Sequence, residues 1–236
     1  MGCGHNGHFL DVTLLNGMKM NSIEFRIACK LYLGFPVFYL PHRNTCTPCP
    51  CCKKGDLDIY GDHAIACAGH NDSSLRHNAV RDSLANAAQD GQFAASIEKR
   101  GVLVDGTESK PTDVYIPFWN YGKAIAIDIC GTSSVDFSVN VNEPLSNAVN
   151  RKNSKFLVRC NESGIIFKPF VFGSLGNFEE DAVVIMKRIG LAQSRKRGCK
   201  ASDCVRWLKG AISFDVMKTQ ANAIIRRGEM KEVLIY

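Results

Sequence analysis

The stretch KPTDVYIPFWNYGKAIAIDIC, residues 110–130, predicts two strands joined by a tight turn. TDVYIPF and KAIAIDIC are the strand-like runs, and residues 120–122 supply a hairpin-type turn between them. The second run has little polar alternation, which is typical of a central strand covered on both faces. A carboxylate inside that run, Asp128, is costly to bury without a partner. We therefore expect a hairpin at the centre of a sheet, with Asp128 in contact with another polar or charged group.

The segments on both sides of this hairpin have helical or strand-like patterns. Before it come an amphipathic helix, 73–91, and a strand, 94–104; after it come a helix, 143–164, a strand, 164–172, and two closing helices, 178–190 and 202–228. This order of helix, three strands, helix, strand and two further helices predicts an α/β fold with the sheet at its core.

Two shorter patterns precede these segments. FLDVTLL, residues 9–15, is strand-like, whereas NSIEFRIACKLYLG, residues 21–34, is helical. Asn21 can cap that helix with Glu24 completing a capping box, and Gly34 can end it. We therefore expect a strand and then a helix at the start of the chain.

We divide the chain into a lead-in over residues 1–40, a Cys/His loop over residues 41–72 and a main domain over residues 73–236. The loop has few periodic apolar residues, so we expect a metal rather than a hydrophobic core to organise it. It contains four ligands at the spacing of a tetrahedral zinc site, namely Cys49, Cys52, His63 and Cys67. Either member of the first pair could be replaced by Cys51 or Cys46. No coordination position is left open, so we expect a structural rather than a catalytic site.

Composition narrows the class of protein. The chain has 236 residues, is 45% hydrophobic, carries a net charge of +6 and contains 11 cysteines. The basic excess permits binding to nucleic acid. The N-terminal sequence lacks the apolar core of a secretion signal, and no run of about 18 apolar residues could span a membrane. Cysteines in an unsecreted chain favour metal ligation over disulfides, and we expect an intracellular, nuclear protein.

Carboxylates and lysines suggest a second metal site. Phosphodiester cleavage needs a divalent metal held by carboxylates and a cation near the attacked phosphate. Asp113 and Asp128 lie on the two strands of the predicted hairpin, which would bring them within reach of one Mg²⁺ or Mn²⁺ ion. Glu98, on the preceding strand, could add a third ligand. Lys152 and Lys155, on the following helix, are candidates for the cationic role, although a helix lysine is often only a solvated surface residue.

Basic residues elsewhere could contact a nucleic-acid backbone. Arg76 and His77 begin the helix before the sheet and could approach a phosphate. Arg195, Lys196 and Arg197 form a second group between the closing helices, which could equally be a basic loop or an import signal. We expect a nucleic acid, DNA or RNA, as the partner.

Several of these segments together resemble one known family. They are LDIYGDHAIAC (57–67), RHNAVRDSL (76–84), IEKRG (97–101), KPTDVYIP (110–117), AIDIC (126–130), NRKNSKF (150–156) and VFGSLGNFEEDAV (171–183). The chain looks like the C-terminal region of LINE-like non-LTR retrotransposon reverse transcriptase proteins, in which a CCHC zinc knuckle precedes a restriction-like PD-(D/E)XK endonuclease. EFRIACKLYLGFPV, residues 24–37, is similar to the segment before that knuckle, so the resemblance covers nearly the whole chain.

The resemblance implies a restriction-endonuclease-like αβββαβ core and a Mg- or Mn-dependent DNA endonuclease that leaves a 3′-hydroxyl. Its acid pair would be Asp113 and Asp128, and its displaced lysine would be Lys152 or Lys155. The sequence departs from the pattern twice: Pro-Thr-Asp replaces Pro-Asp, and Cys130 stands where ordinary members of the superfamily have lysine. Because no polymerase motif is present, the chain would be part of, or derived from, a larger reverse transcriptase polyprotein.

Two other functions fit the same residues. A domesticated, catalytically inactive descendant would keep the fold and the zinc and only bind nucleic acid, with salt-sensitive affinity. A purely structural protein would use the zinc loop as a scaffold and show no affinity for DNA in moderate salt.

Overall fold

A mixed four-stranded sheet with helices around it is the main feature of the fold. The computed structural model describes residues 8–11, 18–39, 47–67, 69–104, 112–132 and 143–231. In chain order the elements are α1 (Ser22–Leu33), β1 (Thr47–Pro48), β2 (Asp56–Leu57), α2 (Asp62–Ala66), α3 (Asp72–Asp90), β3 (Ser96–Ile97), β4 (Val114–Asn120), β5 (Lys123–Thr132), α4 (Glu143–Glu162), β6 (Ile166–Gly173), α5 (Glu180–Arg197) and α6 (Ala201–Lys231). Short 3₁₀ helices cover His8–Asp11 and Gly69–Asn71. The expectation of a mixed α/β protein is confirmed.

The sheet has the strand order β3-β4-β5-β6. β4 and β5 form an antiparallel hairpin, and the predicted turn between them is confirmed at Tyr121 and Gly122. β6 pairs with β5 in parallel, from Ile125 opposite Ile166 to Thr132 opposite Gly173. This parallel pairing needs a crossover, which α4 supplies.

β5 is covered on both faces, as its apolar run predicts. Ile125, Ile127 and Ile129 belong to the main hydrophobic cluster, to which α3, α5 and α6 contribute. Ala126 packs on the opposite face in a cluster with Phe156 of α4. Because successive side chains of a strand point to opposite faces, Asp128 lies on the α4 side of the sheet.

Two of the predicted strands differ from the observed structure. The first strand of the main domain was expected over 94–104, but β3 has only two residues, because Glu98 adopts a left-handed φ of 50° that ends the extended backbone. The strand expected over 9–15 is wrong where it is described, since His8–Asp11 is a 3₁₀ helix. Residues 12–17 lie outside the described chain.

The predicted capping of α1 is confirmed. The Asn21 side chain accepts hydrogen bonds from the backbone N–H groups of Ile23 and Glu24, and Glu24 Oε2 accepts from the Asn21 N–H at 2.7 Å. Gly34 ends the helix in a left-handed conformation with φ of 70°. Local sequence signals thus fix both ends of this helix.

A second hydrophobic cluster joins the Cys/His loop to the helices. Leu57 and Ile65 of the loop pack there with Ile27 of α1 and with Met217 and Ile224 of α6. Other residues of α6 belong to the main cluster beside the sheet. α6 therefore carries both cores, and the contacts cross the predicted division at residue 73. No helix in the described part of the chain is both long and apolar enough to cross a membrane.

Candidate functional sites

The Cys/His loop brings four ligand atoms together. The side-chain donors of Cys49, Cys52, His63 and Cys67 all lie within 4.8 Å of one another. The Sγ atoms of Cys49 and Cys67 are 3.9 Å apart, and Cys52 Sγ lies 3.3 Å from His63 Nε2. Tetrahedral zinc, with Zn–S near 2.3 Å and Zn–N near 2.0 Å, would hold its ligands about 3.5–3.8 Å apart. The cluster could therefore bind a metal such as zinc.

Local turns place these ligands. The Cys49 carbonyl accepts from Lys53 N–H at 3.0 Å, and Cys49 N–H donates to the Gly55 carbonyl at 2.8 Å, which closes the turn that carries the first pair. The second pair lies at the two ends of the short helix α2, where Cys67 N–H donates to the His63 carbonyl at 2.8 Å. Of the alternatives to the first pair, Cys51 is not in the group and Cys46 lies outside the described residues.

Asp58 was not identified from the sequence, yet it orients this second pair. Its Oδ1 accepts from the N–H groups of Tyr60 and Asp62, and its Oδ2 accepts from the N–H of His63 at 2.8 Å. The carboxylate thereby satisfies the free donors at the start of α2. An Asp a few residues before a Gly-Asp-His run is the sequence signal that could have revealed it.

The environment of Cys49 favours the thiolate. Burial acts to raise the pKa of the Cys49 thiol, but hydrogen bonds with the backbone of Cys52 and Cys51 and with the side chain of Arg227 outweigh burial and lower the pKa to about 7. The thiolate is the form that binds metal. The acidity of this group therefore fits a metal ligand.

The predicted acid pair also meets, together with a lysine. Asp113 immediately precedes β4 and Asp128 lies in β5, and their carboxyl groups are near enough to hydrogen-bond each other. Lys152 Nζ of α4 lies 2.8 Å from Asp128 Oδ2, an ion pair in which the ammonium approaches outside hydrogen-bonding geometry. Three of the five side chains proposed for this site therefore converge.

Asp113 is fixed from two sides. Its Oδ2 accepts from the Ile129 N–H at 2.6 Å, and its Oδ1 lies 3.2 Å from His77 Nε2 of α3. Thr112, the residue inserted into the Pro-Asp pattern, is buried and donates from its hydroxyl to the Val114 carbonyl at 2.6 Å. The extra threonine is thus accommodated without displacing Asp113 from the site.

The two carboxyl groups differ in acidity. Burial, followed by the charge of Asp113, raises the pKa of Asp128 to about 6 although Lys152 opposes the shift. Burial also acts to raise the pKa of Asp113, but the hydrogen bond and charge of His77 outweigh it and lower that pKa. Two neighbouring carboxyl groups whose pKa values move in opposite directions are common at functional sites.

The remaining candidates for the acid site have other side-chain partners. Glu98 accepts from Arg81 Nη1 at 2.6 Å, an ion pair that occupies its Oε1. Lys155 is exposed, and its ammonium lies 4.8 Å from the centre of the Phe156 ring. Cys130, at the position where ordinary members of the superfamily have lysine, cannot supply a positive charge. Arg151 Nη2 lies 3.5 Å from its Sγ.

A cavity of about 400 Å³ adjoins the site. Its lining includes Ser73, Ser74, Arg76, His77, Glu98 and Cys130. Arg76 is only 8% exposed, and its Nη1 donates to the Ile65 carbonyl at 3.3 Å. The two basic residues predicted to approach a phosphate therefore line one cavity, with His77 also touching Asp113.

The second basic group lies away from this cavity. Arg195, Lys196 and Arg197 form the last turn of α5, where cations favour the helix dipole. Asp90 pairs with Lys196 Nζ at 3.0 Å and with Arg197 Nη2 at 2.6 Å. Two of the three charges are therefore already engaged within the protein.

Comparison of the sequence with protein-family models and with curated proteins identifies no relative.

Proposed function

We propose that the protein is a metal-dependent DNA endonuclease of the restriction-like type, with a structural zinc site, as in the target-cutting region of retrotransposon proteins. The observation that carries this proposal is the meeting of Asp113, Asp128 and Lys152. Two carboxyl groups from neighbouring strands and one ammonium from the next helix are the groups that hydrolysis of a phosphodiester requires. A nuclear location would follow from the substrate.

The carboxyl pair fits a hard divalent cation. Asp128 Oδ2 is buried and its one close partner is the Lys152 ammonium at 2.8 Å, which a bound cation would have to displace or share. Mg²⁺ and Mn²⁺ prefer carboxylate oxygens. When bound, the cation would polarise the phosphate and favour ionisation of the attacking water.

The protein's own residues would divide the remaining work. Asp113 and Asp128 would hold the cation, with Asp113 oriented by the Ile129 N–H and His77. Lys152, beside Asp128, would position the attacking water and stabilise charge on the phosphate. The water oxygen bonds to phosphorus while the P–O3′ bond breaks, and O3′ takes up a proton to become the 3′-hydroxyl.

The cavity supports a nucleic-acid substrate. Arg76 and His77 line it beside the acid pair, and a buried guanidinium that faces a cavity is suited to a phosphate. The zinc loop would border this cavity, since the Ile65 carbonyl accepts from Arg76. We assign the zinc a structural role, because its four protein ligands leave no open position.

Nicking of supercoiled plasmid in Mg²⁺ tests this function. The wild-type protein should nick, Asp128→Asn should show no detectable nicking, and Lys152→Ala should lose at least about 100-fold in rate. Lys155→Ala is the matched control on the same helix and should stay within about twofold of wild type, because Lys155 is exposed and its ammonium lies over the Phe156 ring. Equal nicking by wild type and Asp128→Asn would exclude this active site.

The same assay separates the alternative function. A nucleic-acid-binding module without catalysis would bind DNA with an affinity that falls steeply as the salt concentration rises. It would not nick the plasmid whichever metal ion is added. A protein that neither binds nor nicks would exclude both functions. In that case the zinc loop would serve only as a scaffold.

A further inference from the structure

Arg227 of α6 is an unusual residue to find in a core. Its side chain is fully buried, with 0% exposure. Its Nη1 donates to Asp72 Oδ2 at 2.6 Å and to the Ala223 carbonyl at 2.8 Å, and its Nη2 lies 3.5 Å from the Gly69 carbonyl. A buried guanidinium is tolerated only when such partners surround it.

Two further partners are ligands of the Cys/His cluster. The guanidinium of Arg227 lies beside the side chains of Cys67 and Cys49. The Gly69 residue whose carbonyl it approaches donates its N–H to Cys67 Sγ at 3.3 Å. One cation therefore touches both the cluster and Asp72, the first residue of α3.

The charges of a zinc-loaded cluster, Asp72, Arg226 and Arg227 would sum to zero. Three thiolates and one histidine around a zinc dication carry a net charge of −1. Asp72 adds another negative charge, and Arg227 together with Arg226, which also pairs with Asp72, supplies two positive charges. With neutral thiols and no metal, one positive charge would be left uncompensated. Arg76 also lies near Asp72, but its guanidinium lines the cavity where a phosphate would meet it.

We propose that Arg227 is a positioning residue of the metal site, which balances the charge of the metal–thiolate cluster and, through Asp72, fixes the start of α3. Because Arg76 and His77 lie about one helical turn further along α3, metal loading would order the wall of the cavity that these two residues line. The inference rests on the proposed zinc site but not on nuclease activity.

Zinc affinity measured by competition with a chromophoric chelator tests the charge role. Arg227→Met, which keeps the length of the side chain and removes its charge, should weaken zinc binding by about 10- to 100-fold. Arg226→Met is the matched control, since Arg226 pairs with the same carboxylate but is 36% exposed and does not touch the cysteines. We expect it to change affinity by less than about threefold. Unchanged affinity in folded Arg227→Met would overturn the proposal.

Arg227→Lys covers the case in which the methionine variant does not fold. A single ammonium keeps the charge but cannot span Asp72 and two thiolates at once, so its zinc affinity should lie between those of wild type and full charge removal. Zinc affinity reduced by about 100-fold or more, although the positive charge is kept, would count against the charge role.

Hydrogen exchange on the wild-type protein tests the link to α3 without any variant. Zinc should slow amide exchange over residues 72–78 as well as over the loop, 47–67. Protection confined to the loop would contradict the link. A wild-type protein that binds no zinc would overturn this inference together with the zinc site, whereas absence of nicking alone would bear only on the nuclease.

Discussion

Lys152 and Lys155 lie three positions apart on α4, so helical periodicity places them on neighbouring parts of one face. For this reason the sequence could nominate both lysines but could not choose between them. The structure separates them through tertiary contacts, because Lys152 meets Asp128 and Lys155 lies over Phe156. Asp128 itself was predictable, since a carboxylate within an apolar run needs a partner.

Asp128 lowers stability at neutral pH. Its pKa is about 6 in the folded protein and near 3.8 as a free side chain, so the folded state binds the proton more tightly. The stability that this group contributes is full below about pH 4 and is lost as pH rises through about 6. Asp128→Asn should therefore raise the free energy of unfolding by about 3 kcal/mol at pH 7.5 and by almost nothing at pH 4.

Urea unfolding of variant and wild type at both pH values measures this difference. Asp215 of α6 offers the matched control, because burial also raises its pKa to about 6 although Ser83 donates a hydrogen bond to it. Like Asp128→Asn, Asp215→Asn should be more stable than wild type at pH 7.5 and about equally stable at pH 4. Unlike Asp128→Asn, it should still nick plasmid DNA. A loss of stability in Asp128→Asn at pH 7.5 would contradict the expectation.

Among the helices, strands and turns, sequence patterns predicted the structure correctly where the residues that determine it are close together in the chain. The capping box of α1, the hairpin turn at Gly122 and the spacing of the four metal ligands all depend on residues close in sequence. β3 was predicted too long because a strand-like composition cannot reveal the left-handed backbone at Glu98. Glu98 also binds the Arg81 side chain, a contact between residues 17 positions apart that composition does not reveal.

Gly55 is a tight point in the Cys/His loop. A Cβ atom there would lie 2.4 Å from His63 Cε1, closer than any contact allows, and its backbone angles do not themselves require glycine. Gly55→Ala should therefore displace the imidazole and weaken zinc binding by about tenfold, as measured by chelator competition.

Gly34→Ala is the control for this substitution. Its left-handed φ of 70° opposes a side chain, but nothing lies within 4 Å of the added carbon. It should reduce stability by about 1 kcal/mol and leave zinc affinity unchanged. Equal zinc affinity in Gly55→Ala and wild type would show that the His63 ring has room to move.

For the whole molecule, the long-range contacts of α6 could not be predicted from the sequence. Arg227 and Asp72 are 155 positions apart, and no local pattern connects them. The predicted boundary at residue 73 came from a change in composition, which cannot show that both sides bury residues against the same helix. Whether the chain divides there stays a prediction.

A fragment of residues 73–236 tests that division. Without the preceding segments, Phe214, Met217 and Ile224 of α6 would lose their apolar cover. At about 2 kcal/mol for each such side chain, the loss of about 6 kcal/mol rivals the whole stability of a typical domain. The fragment should aggregate or lack a cooperative thermal transition by circular dichroism, with the full chain as control. A monomeric fragment with a sharp transition would support independent folding.

The hydrogen bond from Arg76 to the Ile65 carbonyl has a consequence for how a duplex would be read. Under the proposed function, a Cys/His loop that touches the cavity wall would contact DNA close to the cleaved bond. The base pairs that the bound protein protects should then include the cleaved position. Moving a recognition sequence outward by one helical turn should abolish cleavage rather than shift the cleaved position.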